Sequence, residues 1–228
     1  MTLVTGIILA AAVAFLPESE PDIRPLYSRF ASVGVEETGS INLVTSVLLD
    51  YRAFDTLGEA TVIFAAVAVV SLLFAGWKMQ FGAEGLSALV KRGMSMFSPF
   101  LFVFAIYVIT HGHLSPGGGF QGGVALATLF MLFSVVYGSG FWRSRISDQT
   151  TTLAESSGAL TLLSLGCIAM LVGAPFLSNV TAGFDPGVPG ELFSAGIIPA
   201  LNLAIGMKVA AGLSSIFYDM IRQETLED

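Results

Sequence analysis

The sequence predicts an all-α, polytopic membrane protein with about six transmembrane helices and a short amphipathic helix before the second. Hydrophobic residues make up 54% of the 228 residues and charged residues only 12%, whereas soluble domains carry about 25% charged residues. The mean hydropathy of +0.79 leaves too little polarity to cover a water-facing surface. The apolar residues fall in long blocks, roughly 2–16, 57–77, 97–112, 120–138, 153–175 and 194–219, not in short alternating runs. Blocks approaching 20 residues are what a helix needs to cross hydrocarbon.

Block one is short, lacks the positively charged start of a signal peptide and ends sharply at Pro17-Glu18, so it reads as a retained helix. The stretch 17–56 is the most polar of the chain. Within it, Leu43, Val44, Val47 and Leu48 recur at helical spacing, which predicts a short amphipathic helix on a membrane surface or a partner. Block three is crowded with Phe97, Phe100, Phe102 and Phe104, a packing or lipid-facing set, and Pro99 is expected to bend or end its helix. Small residues Gly158, Gly166, Gly173, Gly206 and Gly212 mark expected helix contacts in blocks five and six. Cys167, the one cysteine, lies in block five and reads as a small packing residue, so no internal disulfide can form.

Lys78, Lys91 and Arg92 lie between blocks two and three, Arg143 and Arg145 between four and five, and Arg222 in the tail, while the alternate links carry no Lys or Arg. By the positive-inside rule both termini are expected in the cytoplasm, with the three arginines of 17–56 as a mild violation. The chain divides into a two-helix unit, 1–80, and a four-helix unit, 93–228, joined by a surface connector at 78–92.

The net charge of −7 argues against nucleic-acid binding. No Cys/His run has metal-ligand spacing and no GxxxxGK[ST] loop occurs, so no metal or cofactor is implied. Three constellations bear chemistry. The segment His111 to Gly123 holds both histidines and six glycines in thirteen residues. Pro116 with Gly117, Gly118, Gly119, Gly122 and Gly123 predicts a tight irregular turn, whose backbone must be satisfied by protein or water at membrane depth. His111 and His113 either shuttle protons or fix that turn through loop carbonyls. Asp55 and Glu59, four apart, share a helix face at the start of block two. Either they serve a cation or proton route, or Asp55 caps the helix and Glu59 complements its dipole. Lys208, at the centre of block six, needs a carboxylate, carbonyls or a hydrated path, and is either part of an ion route or a structural ion pair with a neighbouring subunit.

The run His111-Gly112-His113-x-Ser115-Pro116-Gly117-Gly118-Gly119-Phe120-x-Gly122-Gly123 resembles the signature of the B subunit of Mrp-type (multiple resistance and pH) sodium/proton antiporters, over about 93–220. The run Asn42 to Glu59 resembles the last portion of the antiporter A subunit, which is a separate small subunit in membrane-bound hydrogenases and related sulfur-reducing complexes. The resemblance implies a non-catalytic subunit of the cell membrane that packs with A, C, D, E, F and G-like subunits and lipid, in a module exchanging sodium ions for protons. It also implies a cation-path role for Glu59. The fusion of the two pieces is closer to the hydrogenase-linked branch, where redox subunits would be further partners.

Overall fold

The computed structural model describes residues 24–75, 85–138, 141 and 145–221. It is all-helical: α1 Arg24–Thr38, α2 Leu43–Ser46, α3 Ala53–Leu73, α4 Ala88–Thr110, α5 Gly119–Tyr137, α6 Asp148–Leu171 and α7 Ile198–Met220. A π-helical turn, Val47–Tyr51, joins α2 to α3, and a 3₁₀ turn, Val180–Ala182, lies in the long loop before α7. No strand occurs among the described residues. Helices α3 to α7 are each long and apolar enough to cross a membrane, so the chain is a multi-pass membrane protein. Predicted block one lies outside the described residues.

Helix α7 is the axis of the bundle, packing on α3, α4, α5 and α6. Its inner faces carry Ile198, Leu201, Ile205 and Val209, all buried in one cluster with Leu49, Ala60 and Leu162. Burying each such side chain contributes roughly 1.5–3 kcal/mol relative to water, but between helices already in lipid the gain is close packing. Gly158 faces the Ala204 carbonyl and Lys208, Gly206 faces Ile109, and Gly212 faces Ile63 and Val67, as the small-residue pattern predicted. Gly166 instead makes room for the Phe176 ring, and Gly173, with φ of 84°, lies beyond α6 with open space around it.

Helices α3 and α7 run parallel. Ser71 meets Asp219, Ile63 and Val67 meet Gly212, and Thr56 and Glu59 share a pocket with Asn202 and Ile205. Helix α6 runs antiparallel to α7, since Gly158 lies by Ala204 and Ala154 shares a crevice with Ala210 and Ser214. Three successive reversals between α3 and α6 produce this arrangement. It collects α1, α2, the 111–118 turn and the 172–197 loop at one end of the bundle.

Three expectations are corrected. The polar stretch contains a 15-residue helix, α1, that apolar periodicity did not reveal. The short helix α2 is present as expected, with its polar side inward and its apolar side outward: Thr45 and Ser46 are buried and Val44 is 63% exposed. The reason is long-range, because the inward side supplies donors to the carbonyls of the 111–118 turn. Helix α4 begins at Ala88, so Lys91 and Arg92 belong to it and not to the connector, and it continues through Pro99. Cys167 faces outward from α6.

Candidate functional site

The glycine-rich segment is the joint between residues 40–45 and helix α7. Helix α4 ends at Thr110, well before Pro116. The Asn42 Nδ2 donates to the carbonyls of Gly112 and Ser115 at 2.7 and 2.9 Å, and its Oδ1 caps α2 by accepting from the Val44 and Thr45 amides. Thr45 Oγ1 donates to the Gly112 carbonyl at 2.7 Å, and Ser40 Oγ and the Asn42 amide donate to the His113 carbonyl. The turn's carbonyls are thus satisfied by the polar side of α2, as irregular backbone at membrane depth requires. Gly117 and Gly118 adopt φ of 154° and 144°, values that side chains other than glycine rarely take. The Gly119 amide donates to Asn202 Oδ1 at 2.9 Å.

The two histidines do different things. His113 is fully buried and its Nε2 lies 3.1 Å from the Leu192 carbonyl, an acceptor. Nε2 therefore carries the proton, and Nδ1, which has no hydrogen-bond partner, is the bare acceptor. Burial holds this imidazole below the ordinary histidine range. His111 is half-buried, stacks on Tyr107 with centroids 4.2 Å apart, and its Nδ1 lies 3.0 Å from Thr110 Oγ1.

Asp55 pairs with Arg52, which precedes α3. It is therefore a first-turn residue held by that guanidinium, not the helix cap. Glu59 is exposed on α3, without an ion pair or hydrogen bond among the described residues, and lines a small pocket with Thr56, Gly117, Gly118, Phe120, Gln121 and Asn202. The structure thus brings Glu59 to the glycine turn and leaves the His111 and His113 rings committed to Tyr107 and Leu192.

Lys208 is 2% exposed, and its Nζ lies 3.5 Å from Glu155 Oε1 and 5.2 Å from the Phe64 ring centre. Neither Nζ nor Oε1 makes a hydrogen bond. Sequence reasoning missed Glu155, although it is the one carboxylate inside block five. It also missed Asn179, which is fully buried: Nδ2 donates to the Thr38 and Ala195 carbonyls, Oδ1 accepts from the Ile197 amide, and its own amide donates to Asp50 Oδ1. Burial raises the Asp50 carboxyl above its usual range. No group of three potential metal ligands occurs among the described residues.

Five spans among the described residues, with an intramembrane charge pair and with irregular backbone sealed by residues 40–45, define a multi-pass membrane protein. Residues 89–215 match the family described as "domain related to MnhB subunit of Na+/H+ antiporter". The chain belongs to that family. Residues 1–78 match the family described as the E subunit of MBH. The uncharacterized protein MJ1307 of Methanocaldococcus jannaschii is 35% identical over 236 residues, covering 91% of this chain and 89% of that one. The probable K(+)/H(+) antiporter A/B subunit of Rhizobium meliloti is 24% identical, covering 73% of this chain but 19% of its own length. A chain of the membrane-bound sulfane sulfur reductase, an archaeal respiratory membrane complex, superimposes with a TM-score of 0.77 at 34% identity, covering 98% of this chain and 96% of that one. A chain of the Mrp complex from Dietzia sp. shares the fold, with a TM-score of 0.70 at 20% identity over all of this chain and 26% of its own.

Proposed function

We propose that this chain is a non-catalytic membrane subunit of an Mrp-type cation/proton antiport module in the cell membrane, contributing both to assembly and to the ion path. The observation that carries the reading is Glu59: an unpaired carboxylate at membrane depth, facing a pocket floored by the 117–121 backbone and the Asn202 amide. Intramembrane carboxylates without a partner mark ion routes by default. Asp55 supports the helix start through Arg52, Gly117, Gly118 and Gly119 line the pocket, and His113 steadies the turn behind it through the Leu192 carbonyl. Residues 1–80 act as the unit resembling the end of the antiporter A chain and 93–228 as the B-like unit, a division supported by the family matches to 1–78 and 89–215. Partners are other Mrp-type subunits, with sodium ions or another monovalent cation and protons as cargo. The basic links of α3–α4 and α5–α6 and the tail face the cytoplasm.

A second reading is favoured by the 34% identical chain of the sulfane sulfur reductase and by the match of residues 1–78 to an MBH family. In it the module is driven by redox subunits, and this chain couples their chemistry to ion movement. Purification of the intact assembly separates the two, since iron–sulfur or nickel-containing chains accompany it only in the second.

The test of the shared claim is Glu59→Gln in the assembled complex. We expect cation-driven proton exchange in membrane vesicles to fall by about tenfold or more while the other subunits still copurify. Normal exchange in a well-assembled Glu59→Gln complex removes the ion-path role and leaves assembly alone.

A further inference from the structure

We propose that the seam between α3, α6 and α7 is a one-sided hydrated proton lane. It would run from Asp219 at the end of α7 to the Glu155–Lys208 pair at mid-membrane, and stop there. The inference rests on the antiport reading for its use, but not for its existence. On α7, Lys208, Gly212, Ser215 and Asp219 are spaced by four, three and four residues, so they form one stripe about 16 Å long. That stripe faces α3 and α6. Lys208 lies over Phe64 and beside Glu155, a side chain at Gly212 would meet Ile63, Val67 and Glu155, and Asp219 accepts from Ser71 Oγ at 2.5 Å. On antiparallel α6, Thr151 and Asp148 stand four and seven residues before Glu155, toward the same end. In the other direction the α7 stripe continues as Ala204 and Leu201, 1% and 0% exposed. Along α7, polarity therefore reaches the charge pair from the Asp219 end only.

The pair is what requires a supply. Lys208 and Glu155 are 2% and 6% exposed, yet Nζ and Oε1 make no hydrogen bond. An ion pair so buried, at 3.5 Å and without further donors or acceptors, does not repay the desolvation of its two charges. Hydration along the stripe would supply the missing contacts. Beyond these two, the charged groups on helices packed against α7 are Asp148 on α6, Asp55 and Glu59 on α3, and Lys91 and Arg92 on α4. Glu59 belongs to the opposite end, five residues before Phe64 along α3.

The chemistry balances within the pair. A proton entering by Asp219 forms an O–H bond on the Glu155 carboxylate, leaving a neutral acid beside the Lys208 ammonium. Its departure restores the ion pair, and no other group is consumed. The pair thus alternates between net charges of zero and +1, the kind of change that a cation arriving near Glu59 opposes through space.

The test uses the full chain in its native assembly, with Cys167→Ser to remove the endogenous thiol. Ser215→Cys should react with a small charged thiol reagent added from the Asp219 side, and Ala204→Cys should not. Equal, negligible labelling of both, in complexes that assemble normally, overturns the lane whatever the transport result. Equal labelling of both overturns its one-sidedness. In parallel, Asp219→Asn and Glu155→Gln should each slow proton exchange by about tenfold, with Glu155→Asp restoring part of it. Wild-type exchange in Asp219→Asn and Glu155→Gln overturns the proton role even if the lane is wet. If the unmodified complex exchanges no protons at all, the antiport reading fails instead, and the labelling result still decides the lane.

Discussion

At the scale of single residues, His113 shows how burial converts a titratable group into a structural one. Its Nε2–H is given to the Leu192 carbonyl, so protonation must occur at Nδ1, which is buried and faces no acceptor. The folded state therefore binds that proton less readily than the unfolded chain, and the imidazole is held below its usual range. The sign follows from linkage: the stability is fully present above about 6.5, the unfolded histidine value, and is lost as pH falls through the folded value. We expect the melting temperature of the detergent-solubilised chain to drop on acidification below about pH 6.5, and the drop to shrink in His113→Gln. Gly119 makes a different point. A Cβ there would lie 2.2 Å from the Asn202 carbonyl oxygen, whereas one at Gly58 would meet nothing within 4 Å. Gly119→Ala should cost about 1–3 kcal/mol through overpacking, read as loss of assembled complex, and Gly58→Ala should assemble normally.

At the scale of elements, the long apolar helices were legible because each block carries its own signal and needs nothing from its neighbours. Helix α1 was not, because RPLYSRFASVGVEET has no continuous apolar face and is held by polar contacts such as Arg29 to Glu37 and Glu37 to Tyr51. The inward partners of α2 were hidden for a related reason. Its apolar periodicity is real, but Asn42 and Thr45 have partners 70 and 67 residues away in the glycine turn. Long-range partners leave no local trace. The same holds for the site: Lys208 announced the need for a partner, and Glu155 stood visible in block five, but nothing in the sequence paired them across α6 and α7. Among the described residues, the proposed units 1–80 and 93–228 meet through the α3–α7 seam and the Asn42 and Asn179 bonds. Expressed as two chains divided between residues 80 and 93, they should copurify. Asn42→Ala, which removes a helix cap and two carbonyl partners, should weaken that association by about 1–3 kcal/mol. Separation of the unmodified halves would place the strength of the joint in the covalent connector instead.

At the scale of the whole molecule, helix direction and charge make a joint argument about sidedness. Because α3 and α7 are parallel, α3, α5 and α7 point one way and α4 and α6 the other. One end of the bundle then receives the α3–α4 and α5–α6 links and the tail; the other receives α1, α2, the 111–118 turn and the 172–197 loop. Of the ten Lys and Arg residues, Lys78, Lys91, Arg92, Arg143, Arg145 and Arg222 belong by sequence to the first end, Arg24, Arg29 and Arg52 to the second, and Lys208 lies between. Positive charge is retained on the cytoplasmic side, so the first end is expected to face the cytoplasm. Two of the three arginines at the second end are engaged: Arg29 bridges Glu37 at 3.2 Å and Arg52 pairs with Asp55. The expected topology sets the Glu59 pocket toward the outside and the Asp219 mouth of the seam toward the cytoplasm. The two candidate paths then approach one another from opposite sides of the membrane, near Phe64. Both Gln149, in the first turn of α6, and Asp185, in the loop before α7, lie near the ends of the bundle. Single cysteines introduced in Cys167→Ser as Gln149→Cys and Asp185→Cys should be labelled by an impermeant thiol reagent from opposite faces of sealed vesicles, Asp185→Cys from the outside. The reverse pattern would invert both paths together, because the parallel packing of α3 and α7 does not allow one to turn without the other.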